Sequence, residues 1–373
     1  MSASVHPDRL DRAASAAAAA GIDALLITPG ADLRYLIGYD ALPLERLTCL
    51  IVPATGPATL LVPRLEQDAA IASGAGANVA VATHEESDDA FSMTARIVAE
   101  SLGRDPGVVA VADRMWAEQV LRLRAVLPRA EQVAAGVIMR PLRMTKRPDE
   151  IDSLRVAGQA IDRVHQRMGE WLRPGRTEAE VGRDIADGIL AEGHDRVNFV
   201  IVGSGPNGAS PHHAVSSRVI EPGDPVVVDI GGTMPDGYCS DCTRVYVAGL
   251  APPTDFRDYY AVLLDAQLAS CASVRPGVTA ASVDAAARDL IAAAGYGEMF
   301  FHRTGHGIGL EEHEDPYIVA GNTVVLTPGM CFSIEPGIYA TGRHGARIED
   351  IVAVTDVGVE RLDTIDRDLV VLA

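Results

Sequence analysis

The feature that most constrains the fold is an internal repeat in the second part of the chain. The string Arg-Pro-Gly-Arg-Thr at residues 173–177 recurs as Arg-Pro-Gly-Val-Thr at residues 275–279, each time between two helical patterns. Further along each half, a Pro-Gly pair precedes an apolar strand pattern that ends in an acid at the same spacing, Asp229 in the first half and Glu335 in the second. Short repeats that coincide with matching acids predict two related halves around a shared centre.

Each half also carries a second acid after a turn. Residues 226–230 are apolar and β-branched around Asp229 and predict a buried strand, and residues 234–237 have turn composition. We therefore expect Asp241 on the returning strand, facing Asp229 across an antiparallel pair. In the second half, Glu349 is expected on the corresponding strand. Buried carboxylates so close together would be costly unless a bound cation offset their charge.

A histidine in a glycine-rich loop completes this set. His306 lies in residues 305–309, between the two halves, where the glycines allow other parts of the backbone to approach closely. Four strand acids and one imidazole form an oxygen-rich ligand set, which suits two divalent ions of the Mn, Co or Zn type. The set contains too many carboxylates for one tetrahedral structural zinc. The sequence therefore predicts a centre with two divalent ions, which act together on one substrate oxygen.

Composition excludes several classes of partner. The chain of 373 residues has 32 basic and 51 acidic residues and a net charge of -19 at pH 7, which argues against nucleic acid or an anionic membrane as partner. No apolar run is long enough to span a membrane. Five cysteines, an odd number without framework spacing, are typical of a reducing compartment. We expect a soluble, cytoplasmic protein.

The first part of the chain has a different character. Short apolar strand patterns alternate there with helical patterns, which predicts a smaller α/β domain, and it shows no cluster of acids and histidines. A basic stretch at residues 140–147 precedes a long helical pattern that begins at Asp149. We place the boundary here, which predicts an N-terminal domain at residues 1–141 and a second domain, with the metal centre, at residues 142–373.

Together these motifs resemble those of the creatinase and methionine-aminopeptidase family. The matching strings are Asp229 with residues 240–244, the loop 305–309 with His313, residues 334–337 and residues 347–350. Asp32 and residues 35–38 extend the resemblance to the branch of Xaa-Pro dipeptidases (prolidases) and aminopeptidase P. By chain length and by residues 203–213, the sequence is most similar to actinobacterial Xaa-Pro dipeptidases.

The resemblance implies an α+β fold class. The expected architecture is a pita-bread catalytic domain with an internal pseudo-twofold repeat, preceded by a smaller α/β domain of the creatinase N-terminal type. It also implies five metal ligands, which are Asp229, Asp241, His306, Glu335 and Glu349. Asp229 would bind one ion through both of its oxygens, and His306 and Glu335 would bind the other. Asp241 and Glu349 would bridge the two ions.

The same resemblance implies catalytic roles. A hydroxide that bridges the two metals would attack the scissile carbonyl, because metal coordination lowers the pKa of water. Glu335 would also accept a proton, while His212 and His313 would contact the substrate and stabilise the tetrahedral intermediate. His302 and Arg347 lie beside these groups by position, and structural hydrogen bonding is an equally good account of both.

The implied activity is hydrolysis of the Xaa-Pro peptide bond in dipeptides by a homodimeric metallopeptidase that uses manganese, with cobalt or zinc as alternatives. An aminopeptidase P that acts on longer peptides, or another amidohydrolase on this fold, would keep the same ligands. A metal-free enzyme such as creatinase, or a non-catalytic binding module, would lack part of the ligand set, which is intact here. A dipeptidase needs a cation for the substrate carboxylate. Arg343 and Arg303 are candidates, and each is equally plausible as a surface charge.

Overall fold

The computed structural model describes residues 8–77 and 79–372. The chain divides into two compact units, with the division between Arg143 and Met144. Each unit has its own sheets and its own buried apolar residues. Among the described helices, none combines the length and the apolar character that crossing a bilayer requires.

The N-terminal unit is built on one six-stranded mixed sheet. Its strands in chain order are β1 (Ala24–Ile27), β2 (Cys49–Pro53), β3 (Thr59–Pro63), β4 (Ala80–His84), β5 (Val108–Val111) and β6 (Glu131–Ala134). The order across the sheet is β4-β3-β2-β1-β5-β6, in which β2 is antiparallel to β1 and β3 and the other pairs are parallel. Every residue of β1 and β2 is buried, which explains why both strands are apolar throughout.

Among the described residues, six α-helices accompany this sheet. They are α1 (Asp8–Ala19), α2 (Ala31–Ile37), α3 (Gln67–Ala72), α4 (Ala90–Leu102), α5 (Ala117–Val126) and α6 (Gly136–Met144). Helix α4 shows how the sequence sets helix limits. The Asp89 side chain accepts a hydrogen bond from the Phe91 N–H at its start, and Gly103 takes a left-handed conformation with φ 66° at its end. The predicted α/β character of this unit is confirmed.

The C-terminal unit contains two sheets and a separate hairpin. Its strands are β7 (Arg196–Ser204), β8 (Pro225–Thr233), β9 (Cys242–Ala248), β10 (Gly305–Gly307), β11 (Glu314–Ile318), β12 (Cys331–Ile334), β13 (Gly337–Ala340), β14 (His344–Arg347), β15 (Asp350–Val354), β16 (Val359–Arg361) and β17 (Val370–Leu372). The sheets have the orders β17-β9-β8-β7 and β11-β10-β12-β15-β16, and β13 pairs with β14. These pairs are antiparallel except for β9 with β17.

The internal repeat is visible in the helices of this unit. They are α7 (Pro148–Gln166), α8 (Met168–Trp171), α9 (Glu178–Ala191), α10 (Thr254–Ser273) and α11 (Ala280–Ala293). Thr177 and Thr279 cap α9 and α11 with their side chains. Each threonine also forms an antiparallel β-bridge to a valine, Thr177 to Val219 and Thr279 to Val325. The two halves therefore share this local structure, and the predicted repeat is confirmed.

The first hairpin differs in register from the sequence prediction. Asp229 in β8 pairs with Thr243 of β9 rather than with Asp241. A hydrogen bond from the Met234 N–H to the Tyr238 carbonyl closes the turn, and this turn geometry leaves Asp241 one residue before β9 begins. Asp241 therefore lies diagonally from Asp229 rather than opposite to it.

Glu335 lies at a strand end, as the sequence predicts, whereas Glu349 lies outside the strand on which it was expected. Glu335 follows the last residue of β12, and Glu349 lies in the short connection between β14 and β15. The prediction was wrong for Glu349, because the backbone leaves its strand there to bond with another segment. The Glu335 N–H donates to the Thr304 carbonyl at 2.7 Å, and the Glu349 N–H donates to the Thr243 carbonyl at 3.2 Å.

Candidate metal centre

The structure brings the five predicted ligands together. Two groups of three side chains have ligand atoms within 4.8 Å of one another, namely Asp229 with Asp241 and Glu349, and His306 with Glu335 and Glu349. Glu349 belongs to both groups. It therefore lies between two adjoining positions that can each hold a cation.

Burial and unpaired oxygens test whether these residues fit a metal. Asp229, Asp241 and Glu349 are only 7 %, 3 % and 1 % exposed. Among the described residues, Oδ1 of Asp229 and Oε1 of Glu349 have no hydrogen-bond partner. Burial raises the pKa of all three carboxyl groups, and neighbouring carboxylates raise the pKa values of Asp241 and Glu349 further. Divalent cations would remove this cost and use the unpaired oxygens, so the residues fit a metal centre.

His306 is oriented for metal binding through one ring nitrogen. Its Nδ1 lies 3.2 Å from the Gly307 carbonyl oxygen, which selects the tautomer with the proton on Nδ1. Nε2 faces the acids, 3.2 Å from Oε1 of Glu335 and 3.7 Å from Oδ2 of Asp241, where it would bind a cation through its lone pair. A ring nitrogen fixed by such a bond on the other side is the usual arrangement of histidine ligands.

Glu335 differs from the other acids in the direction of its pKa shift. Burial alone would raise its pKa, but the hydrogen bond and charge of His306, with His302 and Arg347, outweigh burial and lower the pKa to about 2. The Ser333 hydroxyl also lies 3.1 Å from Oε1 of Glu335. Glu335 is therefore ionised at neutral pH, which is the state that a proton acceptor requires.

Thr243 and Arg347 support the carboxylates from outside the ligand groups. The Thr243 hydroxyl donates to Oε2 of Glu349 at 2.7 Å and accepts from Nε of Arg347 at 3.0 Å. Arg347 also donates to Oδ2 of Asp229 and, at 2.9 Å, to the Tyr339 hydroxyl. The sequence alone indicated no role for Thr243 or Tyr339. Alternation of side chains along β9, which puts Thr243 on the face of the ligands, was the available signal for Thr243.

A cavity of about 940 Å³ contains these ligands. Its lining includes all five ligands and the three predicted histidines His212, His302 and His313. The apolar residues of its lining include Phe199, Val200 and Ile201 of β7. A concave site that combines an apolar surface with a few converging polar groups is typical of a small-ligand site.

The three predicted substrate-side and neighbouring histidines, His212, His302 and His313, have different surroundings. Nε2 of His302 lies 3.0 Å from the Tyr339 hydroxyl, and burial lowers the pKa of His302. The His313 ring lies 3.8 Å from the His306 ring, centroid to centroid, and burial followed by the His306 charge lowers the pKa of His313 to about 4. His313 is therefore neutral at pH 7 and can donate an N–H to a substrate oxygen. His212 is exposed to the cavity.

The geometry also allows His313 to act as a metal ligand. Its ligand atom lies within 4.8 Å of those of Asp241 and His306, so these three side chains form a further group that can hold a cation. The sequence predicts His313 as a group on the substrate side. The metal content of variants distinguishes a substrate contact from a ligand.

The two arginines considered for the substrate carboxylate are in different places. Arg303 lines the cavity, and its guanidinium lies 4.5 Å from the centre of the Tyr317 ring. Arg343 is exposed and forms an ion pair with Asp255. The structure therefore favours Arg303 as the cation that can meet a ligand in this cavity.

Comparison with known proteins identifies the family. Residues 152–356 match the description "Metallopeptidase family M24", and residues 9–145 match "Creatinase/Prolidase N-terminal domain". The chain belongs to metallopeptidase family M24. The predicted fold class, a pita-bread catalytic domain behind a creatinase-type N-terminal domain, is thereby confirmed. Family M24 uses divalent metal ions, and the ligand groups around Glu349 are where they fit.

Individual relatives cover nearly the whole of this M24 chain. It is 52% identical over 375 residues to the probable dipeptidase PepE of Mycobacterium tuberculosis, which covers 99% of this chain and 97% of that protein. It is 34% identical over 357 residues to the Xaa-Pro dipeptidase of Lactobacillus helveticus, with 94% and 95% covered. The crystal structure of dipeptidase PepE from Mycobacterium ulcerans matches with a TM-score of 0.93, 51% identity, and 99% and 98% covered.

Proposed function

We propose that this M24 peptidase hydrolyses the Xaa-Pro bond of dipeptides with two divalent metal ions, manganese first and cobalt or zinc as alternatives. The observation that carries the proposal is the pair of adjoining ligand groups that share Glu349. The relatives named dipeptidase and Xaa-Pro dipeptidase support the substrate class. We also propose a homodimer in the cytoplasm, the compartment suggested by five free, buried cysteines.

The ligand residues divide between two positions. Asp229 and Asp241 would hold one ion together with Glu349, and His306 and Glu335 would hold the other with the same glutamate. When bound, the two ions polarise the scissile carbonyl and lower the pKa of water enough to make it a nucleophile at neutral pH. The remaining chemistry belongs to side chains of the protein.

Those side chains handle the proton and the developing charge. Glu335, which is ionised at neutral pH, accepts the proton of the attacking water and delivers it to the leaving prolyl nitrogen. Neutral His313 donates an N–H to the carbonyl oxygen as that oxygen gains charge, and His212 lies in the same cavity for the same task. Loss of one such donor commonly lowers kcat by about 10²–10³-fold.

The preference for dipeptides rests on Arg303. Its contact with the Tyr317 ring fixes the guanidinium in the cavity and leaves N–H groups to form paired hydrogen bonds with a carboxylate. A dipeptide carries its free carboxylate directly on the proline, whereas a tripeptide carries it one residue further away. We propose that Arg303 binds the carboxylate of the dipeptide and so disfavours longer substrates.

The experiment measures how efficiently metal-loaded protein cleaves Ala-Pro, Ala-Pro-Ala and the amide of Ala-Pro. Wild type should cleave Ala-Pro at least about tenfold more efficiently than either of the others. Arg303→Ala should lose about ten- to a hundredfold in kcat/KM for Ala-Pro and should lose the preference, because a charge-assisted pair is removed. Arg343→Ala removes an exposed arginine paired to Asp255 and is the matched control. It should keep both the kcat/KM for Ala-Pro and the preference for Ala-Pro.

Two results would change the assignment. Equal or better cleavage of Ala-Pro-Ala by wild type would identify an aminopeptidase P that acts on longer peptides. No cleavage of any prolyl bond with metal present would favour another amidohydrolase on this fold.

A further inference from the structure

Glu178 is a fully buried carboxylate that the chemistry above does not use. It is the first residue of α9. Its oxygens accept hydrogen bonds from a segment further along the chain. The donors are the Ser204 N–H (2.8 Å), the Ser204 hydroxyl (2.7 Å), Nδ2 of Asn207 (3.0 Å), Nε2 of His213 (2.8 Å), the Ser216 N–H (3.3 Å) and the Ser216 hydroxyl (2.5 Å). A single side chain therefore fixes both ends and the middle of residues 204–216, which we call the histidine loop.

The charge of Glu178 suits this arrangement. Burial alone would raise its pKa, but the hydrogen bonds from Ser216 and Ser204 outweigh burial and lower the pKa. The start of a helix also favours a negative charge. Glu178 is therefore ionised at neutral pH, and bonds to an ionised acceptor are stronger than those to a neutral one.

The histidine loop forms one side of the catalytic cavity. Six consecutive residues of the loop, 210–215, line the cavity, and His212 is among them. The loop has a second attachment at Pro211, whose carbonyl accepts a hydrogen bond from Nη1 of Arg347 at 3.3 Å. His212 thus lies between Pro211 and His213, and both of these neighbours are fixed by bonds to the rest of the fold.

We propose that Glu178 is a positioning residue that fixes the histidine loop and thereby places His212 against the substrate. It acts without touching the metal ligands. This inference rests on the proposed function for the substrate role of His212, whereas the attachment of the loop to Glu178 stands on the hydrogen bonds alone.

Glu180 supplies a matched control in the same helical turn. Its Oε2 accepts the Thr177 N–H at 2.8 Å and the Thr177 hydroxyl at 2.9 Å, so it caps α9 in the same turn as Glu178. Among the described residues, the Glu180 side chain forms no hydrogen bond with the histidine loop. Glu180→Gln therefore perturbs the helix start and spares the loop.

The first experiment is a double-mutant cycle with Glu178→Gln and His212→Ala, measured on Ala-Pro at saturating metal. Glu178→Gln should lower kcat/KM by about ten- to a hundredfold with metal content unchanged, because a small misplacement of a catalytic group has effects of this size. The double variant should be no worse than His212→Ala alone. Glu180→Gln should remain close to wild type. Additive losses in the cycle, or a Glu178→Gln enzyme within about twofold of wild type, would overturn the inference.

The second experiment does not depend on activity. Amide hydrogen exchange should accelerate in residues 204–216 of Glu178→Gln and stay unchanged in β8 and β9, whereas Glu180→Gln should leave the loop as in wild type. Unchanged exchange in the loop would refute the inference even if no prolyl peptide is cleaved. If Glu178→Gln does not fold, Ser216→Ala removes one donor to the same carboxylate and should show the same pattern more weakly.

Discussion

Replacing Thr243 with valine tests whether hydrogen bonds around the ligands set the metal affinity. The change is nearly isosteric and removes only the hydroxyl, which donates to Oε2 of Glu349 and accepts from Nε of Arg347. Oε1 of Glu349 already has no hydrogen-bond partner among the described residues. The substitution therefore leaves the shared ligand without support on either oxygen.

The expected magnitude follows from these contacts. Residues that orient metal ligands typically contribute about 10–100-fold in metal affinity. That range corresponds to about 1.4–2.7 kcal/mol of binding free energy. We expect Thr243→Val near the upper end of the range, because both lost bonds involve a charged partner and such bonds are stronger than neutral ones.

The measurement is a titration of metal-free protein with Mn²⁺, followed by calorimetry, for wild type and two variants. Thr233→Val is the matched control, since Thr233 is also buried and donates to Oδ1 of Asn198 at 2.9 Å, away from the ligands. Thr243→Val should lose affinity and Thr233→Val should not. A Thr243→Val protein that binds Mn²⁺ within about twofold of wild type would refute the reasoning, as would an equal loss in both variants.

Other predictions concern the metals and the assembly. Prolonged treatment with EDTA should abolish hydrolysis, and Mn²⁺, Co²⁺ or Zn²⁺ should restore it; full activity in metal-stripped protein would contradict the mechanism. His306→Ala should lose bound metal, as measured by elemental analysis. His313→Ala should lower turnover but keep its metal. The opposite pattern would make His313 the ligand. Light scattering at micromolar concentration should show a homodimer, and a fully active monomer would rule out a substrate site completed by a partner subunit.

That the acids lie together could be predicted from the sequence, because the internal repeat gives them equivalent spacings. Asp229 and Glu335 stand at the same spacing from a Pro-Gly pair, and the structure puts both in groups that share Glu349. Their exact neighbours were harder to predict. Hairpin register depends on how the turn closes, which the sequence does not show. The sequence therefore predicts Asp241 opposite Asp229, whereas the structure pairs Asp229 with Thr243.

Contacts between distant segments could not be predicted from the sequence, because only folding brings these segments together. A first-turn glutamate such as Glu178 has the sequence context of an ordinary helix start, and only the folded chain shows six donors from the histidine loop around it. The same holds for Arg303 and Arg343, both in loops near the ligands. Tyr317 fixes one of them in the cavity, and Asp255 pairs with the other.

The charge of the centre argues for two ions and not one. Four buried or half-buried carboxylates meet beside the guanidinium of Arg347, which is paired to Asp229. One divalent ion would leave an excess of negative charge where burial already disfavours it, as the raised pKa values of Asp241 and Glu349 show. Two ions reverse the sign of the centre. A slightly positive centre would stabilise the additional negative charge that develops on the carbonyl oxygen during hydrolysis, which supports the proposal of two ions.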